Sequence, residues 1–553
     1  MGAAGFLNAP RLLLLALAMF SLAGAAMALW LRRIPAGNPD PRRWYNVFYV
    51  LFARNEPLGL SLVALFSVLA AFLIFRRRPQ IESRQFLRAV QTSEYFFLLV
   101  IALAVLAIAG AGTNFVSHEY ALSADENMAD FQAQIFLSGK IYQEVPEFWQ
   151  PMLRAVLPTH ATYIPRAHGW LSGYLPVYAA IRAVFMSVGL QWFTNPVLAA
   201  ISIFALAAVA RRIWPNERWK PVLAAGLLAA SPQFLVTSMT AYAMPAHLAL
   251  NLVWLWLYCD PSKRRFWLAP FVGVAAMGLH QPFFHALFAA PFLFRLVLDR
   301  RWKASAWFAA VYLVGAGCWY AWWYNFVPAN TAGAGTAFGF ARQTLLVQAI
   351  YVCLLLGWLA LPVPLLAVLG FGRWRQMTPL LRDICASCLV TFGFYIFVYL
   401  DQAHGWGDRY FHGTLGCLIL VAVAGWDRLA GMVGRRAAVT FVVVGGAAAL
   451  FLQVPLRSLQ AERFVRPYAR AAEYISSIDA EVVGFDPRLA WYSNDLKRND
   501  PLWRQGPIVL SLFGMKEAQI ETVLQRYPRA HLITREELAA FELVTELSSD
   551  SHR

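Results

Sequence analysis

The sequence predicts an all-α polytopic membrane bundle of about 12–14 spans, followed by a small C-terminal extracytoplasmic α/β domain. Of the 553 residues, 59% are hydrophobic and only 14% are charged, whereas soluble proteins carry about 25% charged residues. The apolar residues form many runs long enough to cross a hydrocarbon layer about 30 Å thick as a helix. These observations exclude an ordinary soluble enzyme, a disordered chain and a disulfide-stapled secreted module.

The formal net charge is +16, and the basic residues concentrate at the ends of apolar runs, as at Arg76-Arg77-Arg78 and Lys263-Arg264-Arg265. This placement indicates cytoplasmic membrane loops rather than nucleic-acid binding, because Lys and Arg accumulate on the cytoplasmic side of spans. All six cysteines lie in or beside apolar runs. Cys385 and Cys388 have CxxC spacing without a second ligand pair, so we interpret the cysteines as buried free thiols.

The first apolar run, residues 12–30, is interpreted as a retained span rather than a cleaved signal peptide, because it is long and is followed by Arg32-Arg33. Polar or basic links separate it from the later runs. Further spans are predicted at 58–75, 95–112, 170–190, 197–210, 222–238, 244–259, 266–278, 282–297, 305–326, 343–370, 379–400, 411–429 and 437–454.

The links between spans predict how the chain is oriented and divided. The basic links are expected to face the cytoplasm, so we expect a multi-pass protein of the inner (plasma) membrane, with the polar loop 113–168 and the tail outside the cytoplasm. We expect three parts: N-terminal additional spans at 1–94, a transmembrane domain with that external loop at 95–454, and an extracytoplasmic domain at 455–553.

The tail after residue 454 has the composition of a small soluble domain. Its apolar pattern predicts strands that alternate with helices, which is typical of an α/β domain. No Gly-rich phosphate loop follows a strand, so a nucleotide site is not expected. The predicted helices are 466–478 and 516–527, and the predicted strands are 481–486, 507–513 and 530–534.

The most informative segment is 123–142, which begins about a dozen residues beyond a predicted span. Apolar residues at helical spacing predict a helix that opens with Asp125 and Glu126 and closes at Gly139. Acidic residues in a first helical turn are ordinary capping residues. The pattern alone therefore leaves open whether this pair caps the helix or takes part in catalysis.

This segment resembles the first external loop of the GT-C glycosyltransferases, in particular the protein mannosyltransferase and aminoarabinose-transferase-like superfamily (glycosyltransferase family 39 type). That superfamily has an Asp-Glu pair followed by a helix with small, apolar, Gly and Tyr positions. The matching residues here are Asp125, Glu126, Ala133, Leu137, Gly139 and Tyr142.

Other segments extend the resemblance over most of 95–540, but not over the first two spans. Where relatives often have Arg-Pro, this chain has Gln281-Pro282. The further resembling segments are Gly173-Tyr174-Leu175-Pro176, Asn195-Pro196, Ser231-Pro232, His247, Gly407-Asp408-Arg409-Tyr410 and Asn499-Asp500-Pro501.

The resemblance implies an enzyme that moves a sugar, a hexose or a pentose, from a polyprenyl-phosphate donor to an acceptor at the outer membrane face, with inversion at the anomeric carbon. The acceptor hydroxyl must lose a proton as it attacks, and a carboxylate within hydrogen-bond reach can accept that proton. Asp125 is the candidate general base, while Glu126 could orient it, bind the sugar or cap the helix. The acceptor could be a lipid, a glycan or a protein.

The leaving lipid phosphate needs a positive partner, and a guanidinium matches phosphate bidentately. Arg409, with His404 nearby, is the candidate, although Arg409 could equally be an interface residue whose side chain reaches to headgroups. His280, near a span boundary, is a further candidate because polar groups at such positions usually face a cavity. The remaining substrate-binding candidates are Tyr410, Arg166, His168 and Lys140.

We expect no cofactor besides the lipid-linked sugar donor and no metal. His280 and His285 are spaced i,i+5, which does not align them on one helix face, and Asp125 with Glu126 would make a poor cation cage. The expected partners are the polyprenyl-phosphate sugar, a lipid, glycan or protein acceptor, and membrane lipids, but not nucleic acid.

Two alternative functions are compatible with a polytopic chain. A transporter or flippase of a lipid or glycan would place its key polar residues at mid-membrane in broken helices, whereas the acidic residues of this chain cluster in a predicted external loop. A catalytically inactive relative would keep the fold without the chemistry, and substitution of Asp125 distinguishes it from an active enzyme.

Overall fold

The computed structural model describes residues 3–33, 47–74, 90–327, 342–398, 402–488 and 493–543. The described chain is mostly helical, with two small three-stranded sheets. Its α-helices are Ala3–Arg32, Val47–Leu69, Glu94–Phe115, Ala124–Leu137, Leu153–Val156, Val177–Met186, Thr194–Ile213, Trp219–Ala229, Pro232–Ser238, Met244–Tyr258, Ala269–Met277, Phe283–Leu298, Trp302–Phe326, Arg342–Trp358, Val363–Phe371, Pro379–Phe394, Leu415–Val433, Arg435–Ala448, Val454–Ser477, Glu517–Arg526 and Arg535–Ala539. Its strands are Gln143–Glu144 (β1), Ala161–Ile164 (β2), Gly169–Ser172 (β3), Val482–Phe485 (β4), Ile508–Ser511 (β5) and Ala530–Leu532 (β6).

The helices confirm a polytopic membrane bundle. Within the described ranges, seven helices are long and apolar enough to cross a membrane, or nine if each of two bent helix pairs is one span. The seven are Ala9–Arg32, Val47–Leu73, Glu94–Phe115, Gln191–Ile213, Trp302–Phe326, His412–Val433 and Arg435–Ser477. Fewer long helices are thus described than the twelve to fourteen spans expected, because five of the predicted spans contain α-helices of 16 residues or fewer. These are Val177–Met186, Met244–Tyr258, Ala269–Met277, Phe283–Leu298 and Pro379–Phe394.

Proline accounts for the two bent helix pairs, each of which divides one predicted span. A proline lacks the backbone N–H of a helix interior and disfavours helical geometry in the residue before it. The predicted span 222–238 breaks ahead of Pro232, and its two helices meet at 64°. The predicted span 343–370 breaks ahead of Pro362, where the helices on either side are bent by 117°.

One sheet lies in the terminal domain and the other in and just beyond the predicted external loop 113–168. The strand Gly169–Ser172 and the later start of the next helix, at Val177, show that the predicted span 170–190 begins too early. In the loop segment (residues 116–173), the antiparallel order is β1-β3-β2. In the terminal domain (residues 454–543), β4 lies between β5 and β6 and pairs with both in parallel. The predicted strands and the helix after the second strand are confirmed, and the first predicted helix begins earlier, at Val454. This confirms the small α/β domain.

The loop segment and the terminal domain share one hydrophobic core. Phe131, Trp149 and Trp170 from the loop segment pack in the same buried cluster as Val482 and Leu510 from the terminal domain. Because one core joins them, both parts lie on the same side of the bundle. The helix Ala124–Leu137, which we call the Asp125 helix, is therefore contacted by the bundle below and by the terminal domain beside it.

A buried ion pair attaches the N-terminal spans to the rest of the protein. Glu56, in the second long helix, lies 2.7 Å from Arg457 of the terminal domain, and both side chains are almost fully buried. The Glu56 carboxylate also accepts a hydrogen bond from Trp358, 2.9 Å away. Arg457 donates further to the carbonyl of Gly357. The two ends of the chain are thus joined through one charged contact.

We expect Glu56→Gln to lower the free energy of unfolding by about 3–5 kcal/mol, because it leaves the Arg457 charge buried without its counter-charge. Thermal unfolding of the purified protein measures the change. Glu462→Gln is the matched control. Glu462 lies further along the same helix as Arg457, in partly exposed pairs with His118 and Arg466, and such pairs contribute about 0–1 kcal/mol. Equal losses in the two variants would contradict the structural role of the buried pair.

Candidate active site

Glu126 caps the helix that carries the candidate base. The Ser123 hydroxyl accepts a hydrogen bond from the Glu126 N–H (3.1 Å), and the Glu126 carboxylate accepts one from the Ser123 N–H (2.9 Å), which is a capping box. The other carboxylate oxygen accepts from the N–H of Ala241 at 3.0 Å. Burial raises the pKa of Glu126 to about 7, against the opposing effect of these hydrogen bonds. Of the three roles considered for Glu126, the geometry supports capping.

Asp125 points the other way, into a cavity. One carboxylate oxygen lies 2.8 Å from Nη1 of Arg409. The other accepts a hydrogen bond from the Tyr174 hydroxyl and lies 3.7 Å from Nε2 of His160. Burial raises the pKa of Asp125, but Arg409, followed by His160 and His280, outweighs burial and holds that pKa well below its usual range. Asp125 is therefore a carboxylate at any physiological pH.

Arg409 is held by the loop that carries it, residues 402–411, which we call the Arg409 loop. The Gln402 side chain accepts a hydrogen bond from the Arg409 N–H (3.0 Å) and donates one to the carbonyl of Gly407 (2.8 Å). Gly407 has φ +77°, and a Cβ there would lie 2.7 Å from the Gln233 side chain. A residue with a side chain would therefore strain the turn that directs Arg409 toward Asp125.

The Arg409 guanidinium retains an unused hydrogen-bond donor. It lies over the rings of Tyr242 and Tyr410, at 5.2 and 5.5 Å from their centroids, so two cation–π contacts hold it. Its Nε is buried and has no partner among the described residues. One part of the guanidinium holds Asp125, and Nε stays available for a second anion.

These side chains line a cavity of about 420 Å³. The Asp125 helix, the Arg409 loop, the loop segment and the turn at 280–281 all contribute to its wall. The terminal domain adds Asn494 and Asp495. Tyr174, Tyr242 and Met244 complete the wall, so the cavity is assembled from widely separated parts of the chain.

His280 and His404 line the cavity as neutral imidazoles. Burial lowers the pKa of His280 to about 4 and that of His404 to about 3. His280 stacks on Tyr174, with ring centroids 4.0 Å apart. His404 is fixed by a 2.7 Å hydrogen bond between its Nδ1 and the Tyr242 hydroxyl. Both can donate or accept one hydrogen bond without adding charge.

The structure brings together five of the residues predicted for the site, namely Asp125, Arg409, His404, Tyr410 and His280. It does not bring Lys140, Arg166 or His168 to the cavity. These three side chains are exposed; Lys140 donates to Gln143 and His168 bonds Tyr163. The turns around the β1-β3-β2 sheet direct these three side chains to the surface. Their positions therefore do not support the prediction that they bind the phosphate or the acceptor.

Four residues that line the cavity were not predicted from the sequence as site residues: His160, Tyr242, Gln402 and Asp495. Tyr174 was included only as part of the segment that resembles the family. Asp495 lies 371 positions from Ala124, whose N–H it accepts at 3.3 Å. No pattern in the sequence links such distant positions. For Tyr174, the segment Gly173-Tyr174-Leu175-Pro176 was an available signal.

No group of three or more His, Cys, Asp or Glu in the described ranges has a geometry that could hold a metal ion.

The buried carboxyl group of Asp408, next to Arg409, is expected to make the stability of the protein depend on pH in an unusual way. The carboxylate accepts a hydrogen bond from the N–H of Phe411 (3.1 Å), yet burial raises its pKa to about 7. Between about pH 4 and pH 7 the folded state therefore binds a proton that the unfolded chain releases, and stability increases as pH falls through this window. Asp408→Asn keeps the accepting oxygen and removes the charge.

We expect Asp408→Asn to raise the free energy of unfolding at pH 7.5 by on the order of 2–4 kcal/mol. At pH 5 the increase should be smaller, because the folded carboxyl is then protonated and only the ionisation of the unfolded chain still favours unfolding of the native protein. Thermal unfolding midpoints of the variant and the native protein at both pH values measure this difference. An equal shift at pH 5 and pH 7.5 would show that the carboxyl does not titrate in the folded state.

The bundle, the loop segment and the terminal domain together define a class: this is a multi-pass membrane protein with the GT-C-type fold. Two solved structures are similar to it, ArnT from Cupriavidus metallidurans in the apo state (12% identity) and the same protein bound to undecaprenyl phosphate (14% identity). Each match has a TM-score of 0.52 and covers 80% of this chain and 90% of the other.

The likeness confirms, at the level of the fold, the resemblance to GT-C glycosyltransferases predicted from the sequence. No protein-family profile matches the chain, and no curated protein matches it by sequence.

Proposed function

We propose that this protein is a glycosyltransferase that moves a sugar from a polyprenyl-phosphate donor to an acceptor hydroxyl, with inversion at the anomeric carbon. The observation that carries the proposal is the contact between Asp125 and Arg409 inside the cavity, at 2.8 Å. In this ion pair, the proposed proton acceptor, Asp125, contacts the proposed phosphate-binding residue, Arg409. The ArnT structure bound to undecaprenyl phosphate, which has the same fold, supports a lipid phosphate as the donor group.

In the proposed reaction, the acceptor oxygen attacks the anomeric carbon from the side opposite to the phosphate. The new carbon–oxygen bond forms as the bond to the phosphate oxygen breaks, and the electron pair leaves with the polyprenyl phosphate. The acceptor proton passes to the Asp125 carboxylate. The Arg409 guanidinium compensates the charge that grows on the phosphate, which is the role of a preorganised cation.

The ion pair also explains how Asp125 gains basicity when it is needed. With Arg409 as its partner, Asp125 is ionised but weakly basic. A phosphate that binds the free Nε of Arg409 adds a negative charge near the carboxylate, and a nearby like charge raises the pKa of a carboxyl group. Donor binding is thus expected to make Asp125 a better base.

We place this reaction on the outer face of the inner membrane. The basic links predicted to face the cytoplasm and the shared core of the loop segment and terminal domain support this placement. A lipid-linked donor fits such a site, because a nucleotide sugar is not available outside the cytoplasm.

Transfer assays with the full-length protein in lipid nanodiscs test the proposal. The donors are undecaprenyl phosphates carrying radiolabelled glucose, mannose or arabinose, offered with a whole envelope extract, lipids included, as acceptor. We expect at least one donor to lose its label to the extract and the product to have the opposite anomeric configuration, measured by NMR. Intact donors throughout, or retained configuration, would refute the proposed function.

A further inference from the structure

The cavity has a buried end and an open end. Arg409, Tyr242 and His280 at one end are at least nine-tenths buried. At the other end, the His160 side chain is 51% exposed and Asn494 is exposed. A donor phosphate on Arg409 occupies the buried end, so an acceptor that arrives from water meets the open end first.

The terminal domain forms part of this open end and is fixed in place. Trp503 stacks on Trp170 of the loop segment, with centroids 4.3 Å apart, and the Trp170 indole donates to the carbonyl of Pro501 at 3.0 Å. Asn499 donates to the carbonyl of Val156 at 2.6 Å. The short turn Ser493–Leu496, which carries Asn494 and Asp495, is therefore positioned as firmly as the loop segment itself.

The open end of the cavity carries a carboxylate, that of Asp495. Asp495 is buried among Ala124, Asp125, His160 and Arg498, and its pKa, raised by burial to about 6, leaves it largely ionised at neutral pH. Among the described lining residues Arg409 is the one Lys or Arg, and it is held by Asp125. The flanking sequences 399–401 and 489–492 contain neither Lys nor Arg. Arg498 lies beside Asp495, but it is not among these lining residues, and its guanidinium donates to the carbonyls of Asp495, Ala121 and Leu122. A phosphorylated acceptor would therefore meet the Asp495 carboxylate with no unpaired Lys or Arg among the described lining residues.

The buried end of the cavity, where the donor lies, has a hydrogen-bonding group that the hydroxyls of the donor sugar would satisfy. Both ring nitrogens of His280 are buried without a partner among the described residues, although His280 lines the cavity. A buried polar group without a partner costs about 1–3 kcal/mol. A neutral imidazole is satisfied by hydroxyls, which both donate and accept.

Thr159 lines the cavity next to His160. We propose that Thr159, His160, Asn494 and Asp495 form the acceptor subsite, and that this subsite takes the uncharged hydroxyl groups of a carbohydrate rather than a phosphorylated acceptor. A hydroxyl, an imidazole, an amide and a carboxylate can each hydrogen-bond a sugar hydroxyl, and a ring with several hydroxyls satisfies them together. Asp495 repels a phosphate monoester and accepts from a hydroxyl. The inference rests on the proposed function and assigns its acceptor.

The test uses the full-length protein in nanodiscs with an undecaprenyl-phosphate sugar. The acceptors are p-nitrophenyl glycosides, the same glycosides carrying a phosphate monoester, and a Ser/Thr-containing peptide. We expect kcat/KM for the uncharged glycoside to exceed that for its phosphate ester at least tenfold. Asp495→Asn keeps an oxygen for the Ala124 N–H, and we expect it to raise the KM for the glycoside several-fold, leave the KM for the donor unchanged and reduce the preference.

The control is Asp479→Asn, which removes a carboxylate that is 96% exposed on the same domain and should leave the preference as it is. A preference for the phosphate ester or the peptide would overturn the inference, as would an Asp495→Asn variant with unaltered preference. Release of sugar to water without transfer to the glycoside would overturn the acceptor assignment while leaving the proposed function intact. Failure to cleave any donor would overturn both.

Discussion

Asp125→Asn is expected to lower the rate of sugar transfer by about 10²–10⁴-fold, the usual contribution of a general base. The substitution keeps an oxygen that can accept from the Tyr174 hydroxyl, but it removes the basic site and the charge that holds Arg409. The loss should fall on kcat more than on the KM for the donor, because Arg409 remains free to bind phosphate.

Steady-state transfer in nanodiscs, with donor and acceptor varied separately, measures this split. Glu119→Gln is the matched control, since Glu119 is an exposed acid in the same loop segment and should transfer sugar as the native protein does. Comparable unfolding midpoints for both variants separate loss of chemistry from loss of fold. An Asp125→Asn protein with native turnover would show that the base lies elsewhere.

Arg409→Lys is expected to lower kcat/KM for the donor by about 10²–10³-fold, the range seen when one preorganised donor to a developing oxyanion is removed. A lysine keeps the charge, but its ammonium is a point charge without the planar fork of a guanidinium. It can hold Asp125 or a phosphate well, but not both in the present geometry. Arg154→Lys is the control, because Arg154 is exposed in the loop segment.

The same arginine should determine the acid limit of activity. In the native protein the low pKa of Asp125 keeps its carboxylate available at mildly acidic pH. In Arg409→Gln the attraction is gone while burial remains, so the pKa of Asp125 rises and its base form is lost as pH falls. The residual activity of Arg409→Gln should therefore decline from pH 7 to pH 5 more steeply than native activity. Parallel pH profiles would contradict the assigned pairing.

Several elements could be predicted because their cause is local. The helix at 124–137 follows from apolar residues at helical spacing and a polar first turn, and Gly139 ends it with φ +78°. The strands of the terminal domain follow from short apolar runs between turn residues. The number of long spans was overestimated because hydropathy alone does not show how much of an apolar run is helical. Five predicted spans contain α-helices of 16 residues or fewer, and Pro232 and Pro362 divide two others.

The candidate site could be predicted only in part. Asp125 and Arg409 were selected separately, one from a helix start and the other from a short motif, and the structure places them in contact. Lys140, Arg166 and His168 were selected for their charge and their position in the same loop, yet they are exposed. A loop contains both cavity-facing and surface-facing side chains, and the difference depends on packing that the sequence does not display.

The sequence by itself determined that this protein is a membrane bundle with an α/β tail and a polar loop that carries an acidic pair, because hydropathy, helix caps and turn residues act over a few neighbouring positions. The tertiary structure alone decided which acid caps and which faces the cavity. It also joined Asp495 to Ala124 across 371 positions and fixed Glu56 against Arg457 across 401. Such contacts depend on how distant helices pack, and no local pattern encodes their partners.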